Sequence, residues 1–389
     1  MIPRRPGRYL TMASWFALGW PLVGYPGLLS ILGSRRSRVG CGGARLPSLT
    51  VVLPTFNEAA NVVARLENID RSVYETGRLE VIVVDSGSTD GTADRAEAFA
   101  ASSRLPVRVL RERERRGKAA AINTAIAAST SEVIVITDAP TAFDEHALHL
   151  VAEAFGDPEV GTASGYFVVT GEGSALQDEE RRFWEIRNRL RILEARVDST
   201  PFLSGELCAF RRELVSRLDE DTLADDMNIA LQVRRQGRRV VIVPEARFSE
   251  RRTASPAELL ETKSRRAAGG IQELLRHRDM IGPRYGLFGM LILPSAMLYY
   301  LPVRVPAVLV ASASALAAWR RMPAPLRLGG VLAGLAAVPV VMRSSRQIWM
   351  LLFNEWIFVL GWRRVLTNRM DVRWSQERST RDTVAIGKK

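Results

Sequence analysis

Three acidic sites carry the chemistry open to this sequence: Asp85, Asp138, and the pair Asp225-Asp226 inside Leu223-Ala-Asp-Asp-Met-Asn. The pair follows Asp85 by about 140 residues and Asp138 by about 90. A carboxylate pair alone says little. Two acids at strand ends, a later pair and a hydrophobic C-terminal third together suggest a membrane enzyme that handles a nucleotide-diphosphate donor and needs a base. A positioned carboxylate can take a proton from a hydroxyl. A second carboxylate beside it raises its pKa, which suits that role. A hard divalent ion takes oxygen ligands and needs few from protein when phosphates supply the others.

Such residues need a scaffold, and the flanking sequence describes one. Ser48-Leu-Thr-Val-Val-Leu-Pro-Thr55 is a short apolar run ending in a turn, which reads as a buried parallel strand. Asn57 onward reads as a helix. Leu79–Asp85 is the next strand and Ser86-Gly-Ser-Thr-Asp-Gly91 its loop. Thr92–Ala101 is a helix, Val107–Arg111 a third strand, Gly117–Ala128 a helix and Glu132–Asp138 a fourth strand. This alternation predicts an α/β domain with a doubly wound parallel sheet and right-handed crossovers. Ligands of such sheets bind at the carboxyl ends of the strands. Thr55, Asp85 and Asp138 all fall there. Two nucleotide motifs are missing. No G-x-G-x-x-G follows the first strand, and Gly117-Lys118 is followed by Ala119 with no glycine five positions earlier, so it is not a P-loop. Hydride transfer and ATP hydrolysis lose their main support.

The formal net charge is +12 over 389 residues. Nucleic acid is one reading of that charge, but no aromatic-basic interleaving, zinc spacing or helix-turn-helix pattern supports it. The arginines flank apolar runs instead, at Arg35, Arg36 and Arg38, at Arg320 and Arg321, and at Arg363 and Arg364. That is a positive-inside signature. Tyr9–Leu32 is uncharged and long enough to span a bilayer. A retained span is preferred to a signal peptide, because prolines interrupt the run and no small-x-small cleavage site precedes the arginines. Further apolar segments lie near 285–302, 303–319, 327–342 and 347–361. The last holds Asn354 and Glu355 and is read as interfacial, with Trp349, Trp356 and Trp362 at headgroup level. Either three or four of them cross. If all four cross, Arg320, Arg321 and the basic tail share the cytoplasmic side with the soluble domain. The expected layout is an N-terminal span and flank over 1–45 and a cytoplasmic catalytic domain over 46–283. Membrane or interface helices follow over 284–362, and a basic tail over 363–389. The localisation that follows is a multi-pass protein of the cell membrane. Cys41 and Cys208 are too far apart in sequence and context to suggest a disulfide or a metal knuckle.

Pro54-Thr-Phe-Asn-Glu58, Val84-Asp-Ser-Gly-Ser-Thr-Asp-Gly91, Gly117-Lys-Ala-Ala-Ala-Ile-Asn123 and Thr137-Asp-Ala-Pro140 occur in that order. Ser204-Gly-Glu-Leu-Cys-Ala-Phe-Arg211 and Ala224-Asp-Asp226 follow. Together they resemble glycosyltransferase family 2, with its GT-A fold, over about residues 47–275. The membrane layout resembles the bacterial cellulose, hyaluronan and poly-N-acetylglucosamine synthases. The resemblance implies inverting transfer of a sugar from a nucleotide-diphosphate donor, expected to be a UDP-sugar, with Mg²⁺ or Mn²⁺. It places Thr55, Glu58 and Asp85 at the base and ribose. Asp90 orders the Ser86–Gly91 turn. Lys118, at a helix start, either faces the diphosphate or is a solvated lysine beside Arg115 and Arg116. Asp138 matches the first acid of the D-x-D motif and is the metal ligand. The third position is Pro140, so the metal rests on Asp138 and the diphosphate. Asp144 reads as the N-cap of a helix beginning at Glu145, and His146 and His149 as structural or exposed.

Asp226 matches the catalytic base of the family, with Asp225 orienting it or helping to close the acceptor site. The alternative is that the pair caps a helix over Met227–Gln236. The Q-x-x-R-W motif of processive members is missing. Its nearest equivalent is Lys263-Ser-Arg-Arg-Ala-Ala-Gly-Gly-Ile-Gln272. There Arg265 or Arg266 would neutralise the leaving diphosphate, or the helix would lie on anionic lipid. Gly269-Gly270 would let that helix approach a neighbour closely. Without the tryptophan of that motif, processive polymerisation has little support. The resulting expectation is a membrane-embedded glycosyltransferase whose partners are a nucleotide-sugar donor, a lipid-linked or polysaccharide acceptor and membrane lipids, with no nucleic acid. Its rivals are a single-transfer enzyme acting on polyprenyl phosphate or glycolipid, a nucleotidyltransferase and an inactive membrane scaffold.

Overall fold

Short apolar runs build the centre of the molecule. The structure is a computed structural model and describes residues 6–33, 45–75, 77–171, 175–251, 255–321, 323 and 345–372. Strands β1 (Leu49–Thr55), β2 (Leu79–Asp85), β3 (Val107–Arg111) and β4 (Val133–Ile136) run parallel in the order β3-β2-β1-β4. All seven residues of β1 and all four of β4 are buried. Strands covered on both faces need apolar side chains at every position, hence runs such as Val133-Ile-Val-Ile.

The sheet then departs from the expected parallel pattern. Strands β5 (Thr141–Phe143), β6 (Val160–Thr170), β7 (Cys208–Arg211) and β8 (Arg239–Arg251) complete an eight-stranded sheet ordered β3-β2-β1-β4-β7-β6-β8-β5. Strand β7 lies antiparallel to both β4 and β6. An antiparallel neighbour needs no crossover helix, and the βα alternation that predicted parallel strands stops at Asp138.

Successive residues face opposite sides. Val51, Leu53, Val81 and Val83 pack with Val62, Leu66 and Leu148, which lie on α3 (Val62–Asp70) and α6 (Ala147–Glu153). Val52, Ile82, Ile134 and Ile136 pack with Ile122 and Ile126 of α5 (Lys118–Ala128) and with Ile229 and Val233 of α8 (Asp225–Arg235). Helix α4 (Thr92–Ser102) covers β2 and β3. Each buried aliphatic side chain contributes about 1.5–3 kcal/mol.

Three helix starts differ from expectation. The segment after Asn57 first turns, with Asn57 left-handed at φ 56°, and α3 begins only at Val62. Asp144 lies outside α6 and does not cap it with its side chain. Its carbonyl accepts from Ala147 N–H at 2.9 Å. Helix α8 begins at Asp225, so both aspartates stand in its first turn and Ala224 holds the N-cap position.

The remaining helices gather at one side. They are α1 (Pro6–Gly19), α2 (Tyr25–Gly33), α7 (Ala175–Val197), α9 (Pro256–Arg276), α10 (Leu293–Tyr300), α11 (Arg304–Arg320) and α12 (Ser345–Leu366). Among the described residues, one run, Tyr9–Gly33, is long and apolar enough to cross a bilayer. A second qualifies only if Phe288–Tyr300 and Arg304–Arg320 count as one span, and these meet at 88°. The apolar segment 327–342 lies outside the described residues. Helix α1 packs along α11, where Thr11 and Ser314 share a hydroxyl hydrogen bond of 2.9 Å. Glu355, the acid in the last apolar segment, is buried against Arg304 at 2.6 Å and also accepts the Arg304 N–H at the start of α11. Trp356 is largely exposed, whereas Trp362 points inward and donates to the Tyr300 carbonyl at 3.0 Å.

Candidate active site

The carboxyl ends of β1 and β2 set the first part of the site. Asp85 Oδ2 accepts the Ser88 N–H at 3.0 Å, and Asp85 Oδ1 accepts from Thr55 Oγ1 at 3.4 Å. Asp90 binds the N–H groups of Ala59 and Thr92 at 3.0 and 3.1 Å. It ties the turn after β1 to the loop after β2, and the hydrogen bonds to its carboxylate outweigh partial burial and hold its pKa below the ordinary value. Glu58 is buried and accepts from Asn61 Nδ2 at 2.8 Å.

The second part follows β4 and opens α8. Lys118, the first residue of α5, reaches Asp138 Oδ1 at 2.8 Å and Asp225 Oδ2 at 3.2 Å. Burial alone would lower the pKa of this ammonium, but the two carboxylates outweigh it and hold the pKa above its usual value. Burial raises Asp138, against the pull of Lys118. Asp226 is half-buried and lines a cleft of about 340 Å³. Burial first, then Asp225 and Glu206, push its pKa up to about 7. A carboxyl group with that value exchanges a proton near neutral pH.

The cleft gathers Glu58, Lys118, Asp138, Asp225, Asp226, Arg265 and Arg266. Thr55 and Asp85 do not line it and lie at the adjoining strand ends. Arg265 faces the acids with no hydrogen-bond or ion-pair partner among the described residues, and burial and Arg266 lower its pKa. Arg266 is more exposed and approaches Glu206 at 3.6 Å. Among the described residues, no three His, Cys, Asp or Glu side chains cluster so as to hold a metal. Asp138 offers one carboxylate, already engaged by Lys118, so donor phosphates would have to complete any coordination shell.

Sequence reading marked Gly269-Gly270 as a close approach but did not find the partners that support this site. Gln272 and Glu273 of α9 hold the loop before Asp225. Gln272 bonds the Leu223 N–H and the Asp221 carbonyl, and Glu273 accepts from Thr222 and Asn228, each at 2.8 Å. Gly269 makes this possible, because a Cβ there would meet the Leu223 backbone carbon at 2.9 Å. Gly270 likewise admits the Tyr300 hydroxyl. Two buried arginines back the loops: Arg65 donates to Thr137 Oγ1 and Arg191 to Ser204 Oγ, both at 2.7 Å. Burial lowers their pKa values to about 9 and about 10. The stripe Glu180, Phe183, Trp184, Arg187 and Arg191 lines the cleft along one face of α7. Its spacing of three and four residues was a readable helical signal.

Comparison with known proteins places this arrangement. The family model described as "Glycosyl transferase family 2" matches residues 50–219. The chain carries a glycosyltransferase family 2 domain. The match spans β1 to the loop before α8, so it includes Lys118 and Asp138 and stops short of Asp225-Asp226. The chain is 24% identical over 236 residues to the poly-beta-1,6-N-acetyl-D-glucosamine synthase of Staphylococcus aureus, covering 59% of this chain and 56% of that protein. It thus spans just over half the length of this curated relative. It is 36% identical over 93 residues to glycosyltransferase AglE of Haloferax volcanii, 24% of this chain and 30% of that protein. Among solved structures, the mannosyltransferase PcManGT from Pyrobaculum calidifontis, in complex with GDP-Man and Mn²⁺, aligns with a TM-score of 0.73 at 27% identity. That alignment covers 93% of this chain and 99% of that one, so the GT-A likeness of the family 2 domain extends to the helices around it.

Proposed function

We infer that the protein is an inverting glycosyltransferase that moves a sugar from a nucleotide-diphospho-sugar to a lipid-linked or polysaccharide acceptor. The observation that carries this reading is Asp226. It has a pKa near 7 and lines, together with Lys118, Asp138 and Asp225, a cleft that continues to α10 and α12. In this reading Thr55, Glu58 and Asp85 hold the base and ribose, and Lys118 and Arg265 face the diphosphate. Asp226 takes the proton of the acceptor hydroxyl as that oxygen bonds to the sugar C1. The C1–oxygen bond to the diphosphate breaks on the opposite face and the electron pair leaves with the nucleotide. Asp225 holds Lys118 against Asp138, which keeps the cationic wall in place. Asp138 would be the protein ligand of a Mg²⁺ or Mn²⁺, which would supply positive charge to the leaving diphosphate. The GDP-Man and Mn²⁺ of the mannosyltransferase support a donor and ion of these classes. UDP-sugars remain the first donors expected from the sequence.

The proposed placement puts Tyr9–Gly33 in the membrane and residues 46–283 on the cytoplasmic face. Residues 284–362 form membrane or interface helices, and 363–389 a cytoplasmic tail. The test is nucleoside diphosphate release by detergent-purified protein across UDP-, GDP- and TDP-sugars, with and without Mn²⁺ and membrane lipid extract. Release from one donor class that Asp226→Asn abolishes is expected. Release that survives this substitution removes Asp226 as the base, and no release under any condition removes the enzymatic reading.

A further inference from the structure

The cations around the cleft differ in what neutralises them. Lys118 has Asp138 and Asp225, and Lys263 has Glu180 at 2.5 Å. Arg191 donates to Ser204 and Asn188. Arg187 makes no hydrogen bond or ion pair among the described residues. Its guanidinium carbon instead lies 4.0 Å from the ring centre of Phe202 and 4.8 Å from that of Tyr299. Glu194, two helical turns along α7, attracts Arg187 through space but spends its hydrogen bonds on Tyr25 at 2.8 Å and Thr200 at 2.6 Å. Aromatic faces hold a cation in place but leave its five N–H donors unanswered. A part-buried guanidinium held this way keeps its N–H donors free for the oxygens of an incoming anion. Arg187 also lies where the main cleft meets a small cavity lined by Trp20, Tyr25 and Ser295, at the junction of the first apolar helix with α10.

We propose that Arg187 binds a phosphate carried by the acceptor, which makes the acceptor a lipid phosphate ester and not a neutral sugar chain. This rests on the glycosyltransferase reading above. The donor diphosphate has its own cations at Lys118 and Arg265, so Arg187 serves a second anion. The walls beside it, Tyr299 of α10 with Ile357 and Phe358 of α12, are apolar or aromatic and suit the first isoprene or acyl carbons of a lipid. The planar fork of an arginine matches phosphate oxygens in pairs.

The experiment is direct binding, read by native mass spectrometry on the full chain in detergent. Polyprenyl phosphate is compared with polyprenol of the same length, and a sugar 1-phosphate is the soluble competitor. The wild type is expected to prefer the phosphate about tenfold or more, the scale of one charge-assisted hydrogen bond. Arg187→Gln should erase that preference and Arg187→Lys should restore part of it. Arg189→Gln, on the exposed side of the same helix, should leave it intact. Equal binding of phosphate and alcohol by the wild type overturns the proposal, and this comparison needs no variant to fold. An undiminished preference in Arg187→Gln overturns it also. Full competition by the sugar 1-phosphate would assign the site to a free phosphate and overturn the lipid assignment. Because binding is read without turnover, its failure leaves the nucleoside diphosphate assay standing, and failure of that assay leaves the binding result readable.

Discussion

The two sides of the cleft are built on different principles. The proposed donor side comes from one half of a sheet, where consecutive strand ends and the first turns of α5 and α8 converge. Its charges answer one another: Lys118 bridges Asp138 and Asp225, and Asp90 is saturated by backbone N–H groups. The other side comes from α7, α9, α10 and α12, which lie far apart in sequence. Its surface is aromatic, and Arg187 and Arg265 on it have no hydrogen-bond or ion-pair partner among the described residues. A preneutralised pocket keeps its shape before any ligand arrives. An aromatic pocket whose cations lack hydrogen-bonded partners leaves those bonds for a ligand to make.

The largest expected effect that sharpens this contrast is at Asp226. Asp226→Asn should lower the transfer rate by about 10²–10⁴-fold with little change in donor binding, measured as kcat against KM for the donor. On the donor side, Lys118→Gln should leave Asp138 and Asp225 facing each other unneutralised. Donor affinity should fall by about 10–100-fold, measured by titration with the nucleotide sugar. If affinity is unchanged, the lysine is structural and the preneutralised side is not the donor side. Gly269→Ala tests the seam between the two sides, because the new methyl presses on Leu223 just before Asp225. A stability loss of about 1–3 kcal/mol in thermal unfolding and a lower kcat are expected.

The smallest effect is a pH dependence. A base with its pKa near 7 must be ionised, so the rate should rise with pH through about 7 and level off above it. The stability sign is opposite. A raised carboxyl pKa means the folded state resists ionisation, so stability is lost as pH rises through 7. Asp226→Asn should therefore stabilise the protein at pH 8, by roughly 1–3 kcal/mol, and have no such effect near pH 4. Equal effects at both pH values would show that Asp226 carries an ordinary pKa.

Much of the donor side was legible because its determinants are local. Short apolar runs specify strands, and a polar residue at the end of each run falls at the same sheet edge. The acid pair in Ala224-Asp-Asp226 was visible, although its helix begins at Asp225 and not after it. The buried arginines were not legible. Arg65 and Arg191 sit in helices whose sequences are rich in charge, and nothing nearby in the chain reveals that Thr137 and Ser204 receive them. Arg364 was read as part of a positive-inside flank, and its pairing with Glu261 of α9 at 2.6 Å was not visible in the sequence. The glycine pair in α9 hinted at a close approach, but its partners, Leu223 and Tyr300, could not be named from sequence.

By itself, then, the sequence determined the parallel core of the sheet, the acids at its edge and the apolar character of the terminal helices. Residue pattern and hydrophobic period decide these within a few neighbours. Only the tertiary structure decided that β7 enters antiparallel and that α9 props the Asp225 loop. It also decided which cations are neutralised and which, like Arg187, are left to a ligand. Those outcomes depend on contacts between segments far apart in the chain, where the free energy of burying a charge is set by whichever partner the fold brings within hydrogen-bonding distance.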